Sequence, residues 1–323
     1  MIALPRSAAV LGGGALGSAL VPALLAAKIP VALAWDRARK PSPWTPDLHR
    51  VRHAELVLLA VTDGAVAEVC RLAAPSIGPG QLVAHCAGAL DLEPLLSARR
   101  RGARIGSLHP LRAVPPGSGS GILRGAAAGI AGDESETRER LSAVARALGM
   151  TPVEVCGSRP LYHAAAVLAA GATVALFARA VDAFGAATGA SEEAARKALL
   201  PLSIGALSAL EERTPLQALT GPIARGDART VAAHRAALPR DLVPLYDELA
   251  RAALRLAPSS TIERLLRTRP SAASPARGRG SRSSPRYRPR PPEARPSASS
   301  RSPAPRGRPP SPPPPARAPR PKR

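Results

Sequence analysis

Aromatic side chains are scarce: two Phe, three Tyr and two Trp make up 2% of 323 residues. A core with so few rings must be packed from Ala, Leu and Val, and small side chains favour close helix approach. Cysteine is scarce too, since Cys70, Cys86 and Cys156 are odd in number, far apart and without a C-x-x-C pair. That excludes a disulfide framework and leaves no metal site to expect, and it fits a reducing, cytoplasmic location. Long apolar runs are lacking as well. The longest beyond the N-terminus, Ala164 to Ala178, is rich in Ala and Gly and short for a bilayer, so no membrane span is expected. Arg6 and the apolar run to Ala27 imitate a secretory signal, but three turn-forming glycines interrupt it and it leads into a second strand.

Acidic residues are few, 23 against 45 Lys and Arg, for a formal charge of +22. Such an excess ordinarily points to a polyanion partner. Its distribution argues otherwise, because residues 267–323 hold sixteen of the cations against Glu293 alone, leaving +7 for residues 1–266. A Pro-, Ser- and Arg-rich composition cannot bury enough surface to fold, so residues 268–323 are expected to be a disordered basic tail. Nucleic acid is expected only through that tail, by phosphate neutralisation, since Tyr287 is its one aromatic residue.

What the chain does contain is alternation. Short aliphatic runs at Ala8 to Gly12, Val31 to Trp35, Leu56 to Val61, Leu82 to His85, Arg104 to Leu108, Ala127 to Ala131 and Pro152 to Cys156 read as strands. Helical segments lie between them at Ala15 to Ala27, Gly64 to Ala73 and Asp133 to Leu148, the last stopped by Gly149. This is the pattern of an α/β, Rossmann-type, mostly parallel doubly wound sheet. After Arg159 the pattern becomes all-helical: an apolar segment to Ala187, Ser191 capping Glu192 to Glu212, then Asp227 to Leu238 and Leu242 to Leu256. The expected domains are 1–157, a dinucleotide-binding domain, and 158–267, a helical substrate and dimerisation domain.

The first strand runs into Gly12-Gly13-Gly14-Ala15-Leu16-Gly17, a G-x-G-x-x-G turn that opens a helix. Gly12 permits the tight turn, Gly14 lets backbone approach a pyrophosphate, and Gly17 lets the helix pack on the strand, while Ala15 and Leu16 begin the helix whose N–H groups face the phosphates. Asp36 ends the second strand, where an acid accepts hydrogen bonds from the ribose of NAD; Arg37, Arg39 and Lys40 follow, where a cation suits the 2′-phosphate of NADP. NAD and NADP both stay open. Val61, Thr62 and Asp63 end the third strand at the edge where such folds bind ligands, and Asp63 is equally suited to cap its helix. His85 and His109 end two further strands, which points both imidazoles at one crevice, where a histidine could exchange a proton during hydride transfer.

Three separated segments, Ser107-Leu108-His109-Pro110, Leu161-Tyr162-His163-Ala164-Ala165 and Ala218 to Asp227, resemble the Rossmann-like proteins that carry the domain of unknown function 2520. The resemblance covers about residues 6–267. It implies kinship with 6-phosphogluconate dehydrogenase, pyrroline-5-carboxylate reductase and ketopantoate reductase, a helical C-terminal domain that dimerises, and a small anionic substrate. It also implies that Tyr162 and His163 begin the first long helix, that Arg225 holds a substrate carboxylate, and that Asp227 orients that arginine or caps the next helix. The family commonly has Ser-Asn where this chain has Ala170-Gly171, and the hydroxyacid dehydrogenase relatives have a catalytic Lys at the place of Val167. The leading expectation is therefore an NAD(P)-dependent oxidoreductase using His109, His163 and Arg225, with a non-catalytic dinucleotide sensor as the alternative.

Overall fold

Alternate residues of the first strand serve different cores. Ala8 and Val10 join one buried cluster while Ala9 and Leu11 join another, which is the period of two expected when helices cover both faces of a sheet. In the computed structural model, which describes residues 2–38 and 41–268, the strands are β1 Ala8–Leu11, β2 Val31–Trp35, β3 Trp44–Thr45, β4 Leu56–Leu59, β5 Leu82–His85, β6 Arg104–Leu111, β7 Ala127–Gly132 and β8 Thr151–Glu154. They form one sheet in the order β3-β2-β1-β4-β5-β6-β7-β8. Every neighbouring pair is parallel except β6 and β7, where Gly106 faces Gly132 and Leu111 faces Ala127. The helices over the sheet are α1 Ala15–Ala26, α2 Val66–Ala73, α3 Leu96–Arg99 and α4 Ser135–Ala147.

The chain then continues as α5 Arg159–Val167, a π-helical turn Leu168–Ala172, α6 Thr173–Thr188, α7 Glu192–Ser208, α8 Pro215–Ala218, α9 Ala228–Ala237, α10 Val243–Leu254 and α11 Ser260–Arg267. Ser191 caps α7 by accepting from the Ala194 N–H at 3.3 Å. Asp227 caps α9, its two oxygens taking the Thr230 N–H at 3.0 Å and the Thr230 hydroxyl at 2.6 Å. Sheet and helices together make one compact unit, Met1–Pro270.

Burial differs sharply between the two parts. The sheet fills both faces with fully buried Leu, Ile, Val and Ala, whereas the buried cluster of the helical part is Val231, Ala250, Ile262 and Leu266. That small cluster is braced by Arg235, which grips Asp247 with two bonds of 2.8 and 2.9 Å and donates to the Leu265 and Thr268 carbonyls.

Several expectations need correction. The sixth strand runs to Leu111 rather than Leu108, and β3, α3, α8 and α11 had no counterpart, while the single antiparallel pair among the described residues, β6–β7, agrees with a mostly parallel sheet. Above all, the apolar run expected to be too short for a bilayer lies in one continuous helix, Arg159–Thr188, of 30 residues, whose most apolar 18-residue window has mean hydropathy 1.9, long and apolar enough to cross a membrane by length and composition. The π turn carries the helix through its Ala- and Gly-rich stretch. Arg39, Lys40 and the basic tail from residue 269 lie outside the described residues.

Candidate active site

The order of strands reverses at β1, with β2 on one side and β4 on the other, so a crevice opens at their carboxyl ends. Here the chain turns at Gly12 with φ +118°, and a Cβ on Gly12 would lie 2.5 Å from the Ala60 carbonyl oxygen. A Cβ on Gly17 would fall on the Gly12 carbonyl, so α1 is drawn tight against the turn. A Cβ on Gly14, by contrast, would meet nothing within 4 Å, so its backbone is open to a ligand. No side chain caps the N-terminus of α1. Its orphan N–H groups and positive dipole end are the chemistry that receives a phosphate.

A cavity of about 580 Å³, within the usual range for cofactor pockets, is lined by Gly12, Gly14, Ala15, Leu16, Asp36, Arg37, Val61 and Thr62 from the expected set. Gly17 and Asp63 do not line it: Gly17 is under the helix, and Asp63 starts a short 3₁₀ turn without capping it. Asp36 takes the Gly13 N–H at 2.7 Å on one oxygen and the Ala38 N–H at 2.9 Å on the other, which fixes the carboxylate at the end of β2. Arg37 pairs with Glu68 at 2.9 Å across the cavity mouth. Glu68, Val69 and Cys86 also line the cavity and were not foreseen, because they come from α2 and the exit of β5 and carry no motif.

Cys86 leads within two residues to Gly88, and at Gly88 a second cluster begins. A Cβ on Gly88 would sit 2.3 Å from His163 Cδ2 and 2.9 Å from His109 Cε1, so only hydrogen lets both imidazoles rest there. His109 Nδ1 is 2.9 Å from the Tyr162 hydroxyl, and the His109 ring stands edge-on to His163 with centroids 5.8 Å apart. Tyr162 reaches β7 at Gly129, where a Cβ would overlap its hydroxyl at 2.2 Å. Burial pushes the Tyr162 hydroxyl above its usual range. Burial also lowers the His109 imidazole to about 4, helped by the charges of His163 and Arg159. His109 is therefore a neutral proton acceptor at neutral pH.

His85 does not join this cluster. It is fully buried, Nδ1 accepts the Ala87 N–H and Nε2 faces the Asp91 carbonyl, so both ring nitrogens are spent on backbone and burial holds its pKa at about 4. Arg225 is exposed in the loop before α9, and its charge helps hold Asp227 low behind the two bonds from Thr230, so Asp227 acts as a cap. At Val167 and Ala170-Gly171 the π turn carries no polar side chain; Thr173 instead sends its hydroxyl back to the Leu168 and Ala169 carbonyls.

Family models match this organisation: a Rossmann-like domain over residues 6–110 and the domain of unknown function 2520 over residues 126–253. No curated protein sequence matches the chain. Among solved structures, a Bacteroides fragilis protein provisionally named an NADP oxidoreductase is similar at 21% identity and TM-score 0.62, over 77% of this chain and 98% of that one. A reductive aminase of Aspergillus terreus in complex with NADPH has 18% identity and TM-score 0.55, over 80% and 97%. Plasmodium falciparum pyrroline carboxylate reductase with NADP bound has 16% identity and TM-score 0.53, over 80% and 97%. At these identities the likeness is one of fold. The chain thus carries, one after the other, a Rossmann-like domain and the domain of unknown function 2520.

Proposed function

We propose that the protein is an NAD(P)-dependent oxidoreductase acting on a small carbonyl, imine or hydroxyl substrate. The observation that carries this is adjacency: Cys86 at the exit of β5 lines the glycine-turn cavity, and two residues on, Gly88 is in contact with His109 and His163, with Tyr162 bonded to His109. The nicotinamide of such a cofactor supplies or accepts a hydride. The open backbone at Gly14 and the bare start of α1 hold the pyrophosphate, and Asp36, fixed at the end of β2 in the cavity lining, meets the adenosine ribose. Neutral His109 takes the proton released when a hydroxyl or amine is oxidised, and the imidazolium so formed returns it in the reverse direction. Tyr162 orients His109, and His163 walls the same space. The structural neighbours named for NADP chemistry support this reading through shared fold.

The test is a panel of carbonyls, imines and hydroxyacids with NAD(H) and NADP(H), with binding followed by thermal shift. Loss of about 10²- to 10⁴-fold in turnover for His109→Ala, with dinucleotide binding retained, is the expected result. Binding without turnover on any substrate would favour the sensor reading, for which the apolar π turn at Val167 to Gly171 is the motivating observation.

The reading includes a homodimer. Leu161, Leu168, Val174 and Leu202 are each about 70% exposed along α5, α6 and α7, an apolar face too broad to leave in water. The long helix is anchored in protein at its start, where Arg159 is buried against β5 and β6, so a second copy suits this face better than lipid. Light scattering should give twice the chain mass, and Leu202→Glu should halve it. A monomer that co-sediments with lipid vesicles would overturn the dimer.

A further inference from the structure

Arg159 had no motif to mark it, yet it is the most deeply placed cation near the site, 4% exposed. Its Nη2 donates to the Ala87 carbonyl at 2.8 Å and to Ser107 Oγ at 2.7 Å, and its Nε donates to the Leu90 carbonyl at 3.0 Å. Nη1 is buried with no hydrogen-bond partner among the described residues, and the Asp91 carboxylate acts on the guanidinium through its charge rather than through an ion pair. Three and four residues on, along the same face of α5, stand Tyr162 and His163. One side chain thus joins three segments: the exit of β5 that carries Gly88, the strand β6 that carries His109, and the helix that carries Tyr162 and His163.

We infer that Arg159 is the positioning residue of the candidate proton-transfer cluster, holding His109, Tyr162 and His163 in register across three elements. The inference rests on the oxidoreductase reading for its catalytic meaning. A purely structural clamp would be better made with a carboxylate partner, as Arg235 is with Asp247, because a buried charge without one is costly. A cation fastened by carbonyls and a hydroxyl keeps its field. That field falls on His109 together with those of Tyr162 and His163 from α5, Asp63 from the turn after β4 and His85 from β5. Desolvation is the largest cause holding His109 neutral, the His163 charge comes next and Arg159 follows. Arg159 thus acts on His109 in two ways, by its charge and by keeping the packed elements closed against water.

The experiment uses full-length Arg159→Gln, Arg159→Lys and Ser107→Ala proteins, with each imidazole titrated by NMR and the His109 signal assigned through His109→Asn. In Arg159→Gln the His109 midpoint should rise by about one unit, and the acid limb of turnover should move with it. Arg159→Lys, which keeps the charge but loses the forked bonds, should recover part of that shift. Dinucleotide affinity should change by less than about threefold in all three, since Arg159 lies outside the glycine-turn cavity. An unmoved His109 midpoint in folded Arg159→Gln overturns the inference. If that variant does not fold, Ser107→Ala decides, with a smaller upward shift expected and no shift overturning it. A parent protein that neither binds nor turns over any dinucleotide defeats the oxidoreductase reading, while the titration still decides whether Arg159 positions His109.

Discussion

Two buried arginines, one where the helical part joins the sheet and one deep in the helical part, face the same physical problem and solve it differently. Arg235 in the helical part meets a carboxylate with two parallel bonds and spends its other donors on carbonyls at the end of α11. Arg159 at the edge of the sheet meets carbonyls, a serine hydroxyl and the face of the Tyr162 ring, and one of its nitrogens has no hydrogen-bond partner among the described residues. The first is neutralised and serves packing. The second remains a charge, next to two histidines that it helps to keep neutral. The same contrast runs through the cores: the sheet needs no such ion pair because both faces are filled with aliphatic side chains, while the helical part has a small core and a wide apolar surface.

The largest effect should come from breaking the neutralised pair. Asp247→Ala leaves the Arg235 guanidinium buried without its acid and should cost about 3–5 kcal/mol in denaturant unfolding. A loss under about 1 kcal/mol would show that the helical part relaxes around the charge, and the contrast with Arg159 would weaken.

Next in size is the glycine turn. Gly12→Ala places a methyl 2.5 Å from the Ala60 carbonyl at φ +118°, so dinucleotide affinity should fall at least about tenfold while the helical part keeps its unfolding midpoint. Isothermal titration and hydrogen exchange read the two halves separately.

Acid should then weaken the sheet part. His85 and His109 have folded pKa values of about 4 against an ordinary imidazole value of 6.5, so the unfolded chain binds more protons between those limits. Stability is fully present above about pH 6.5 and is lost as the pH falls towards 4, by roughly 1–3 kcal/mol in all after allowing for the partial exposure of His109. His85→Asn should flatten the slope; an unchanged slope would remove His85 from the account.

The smallest effect belongs to the exposed helix surface. Lys197 pairs with Glu193 one turn away in solvent, and Glu193→Gln should change stability by only about 0.3–0.5 kcal/mol. A larger loss would mean that α7 is less exposed in solution than in the single chain, which would sharpen the case for a second copy over it.

Much of the sheet was legible because its signals are local. Period-two burial in Ala8 to Leu11, the Gly12-x-Gly14-x-x-Gly17 turn and Asp36 at the end of β2 each depend on neighbours in sequence. His109, Tyr162 and His163 were legible as residue types at strand and helix ends. Other features were not. Arg159 resembles any helix-starting cation until β5 and β6 are folded against it, and Gly88 and Gly129 show their purpose only when rings from other elements arrive.

By itself the sequence determined the element order, the phosphate-binding turn and the change from alternating to all-helical pattern, because backbone preference and apolar periodicity act over a few residues. Only the tertiary structure decided which histidine is free for chemistry and which arginine keeps its charge. Those outcomes depend on burial and on partners dozens of residues away, and the dielectric surroundings of a side chain exist only once the chain has folded around it.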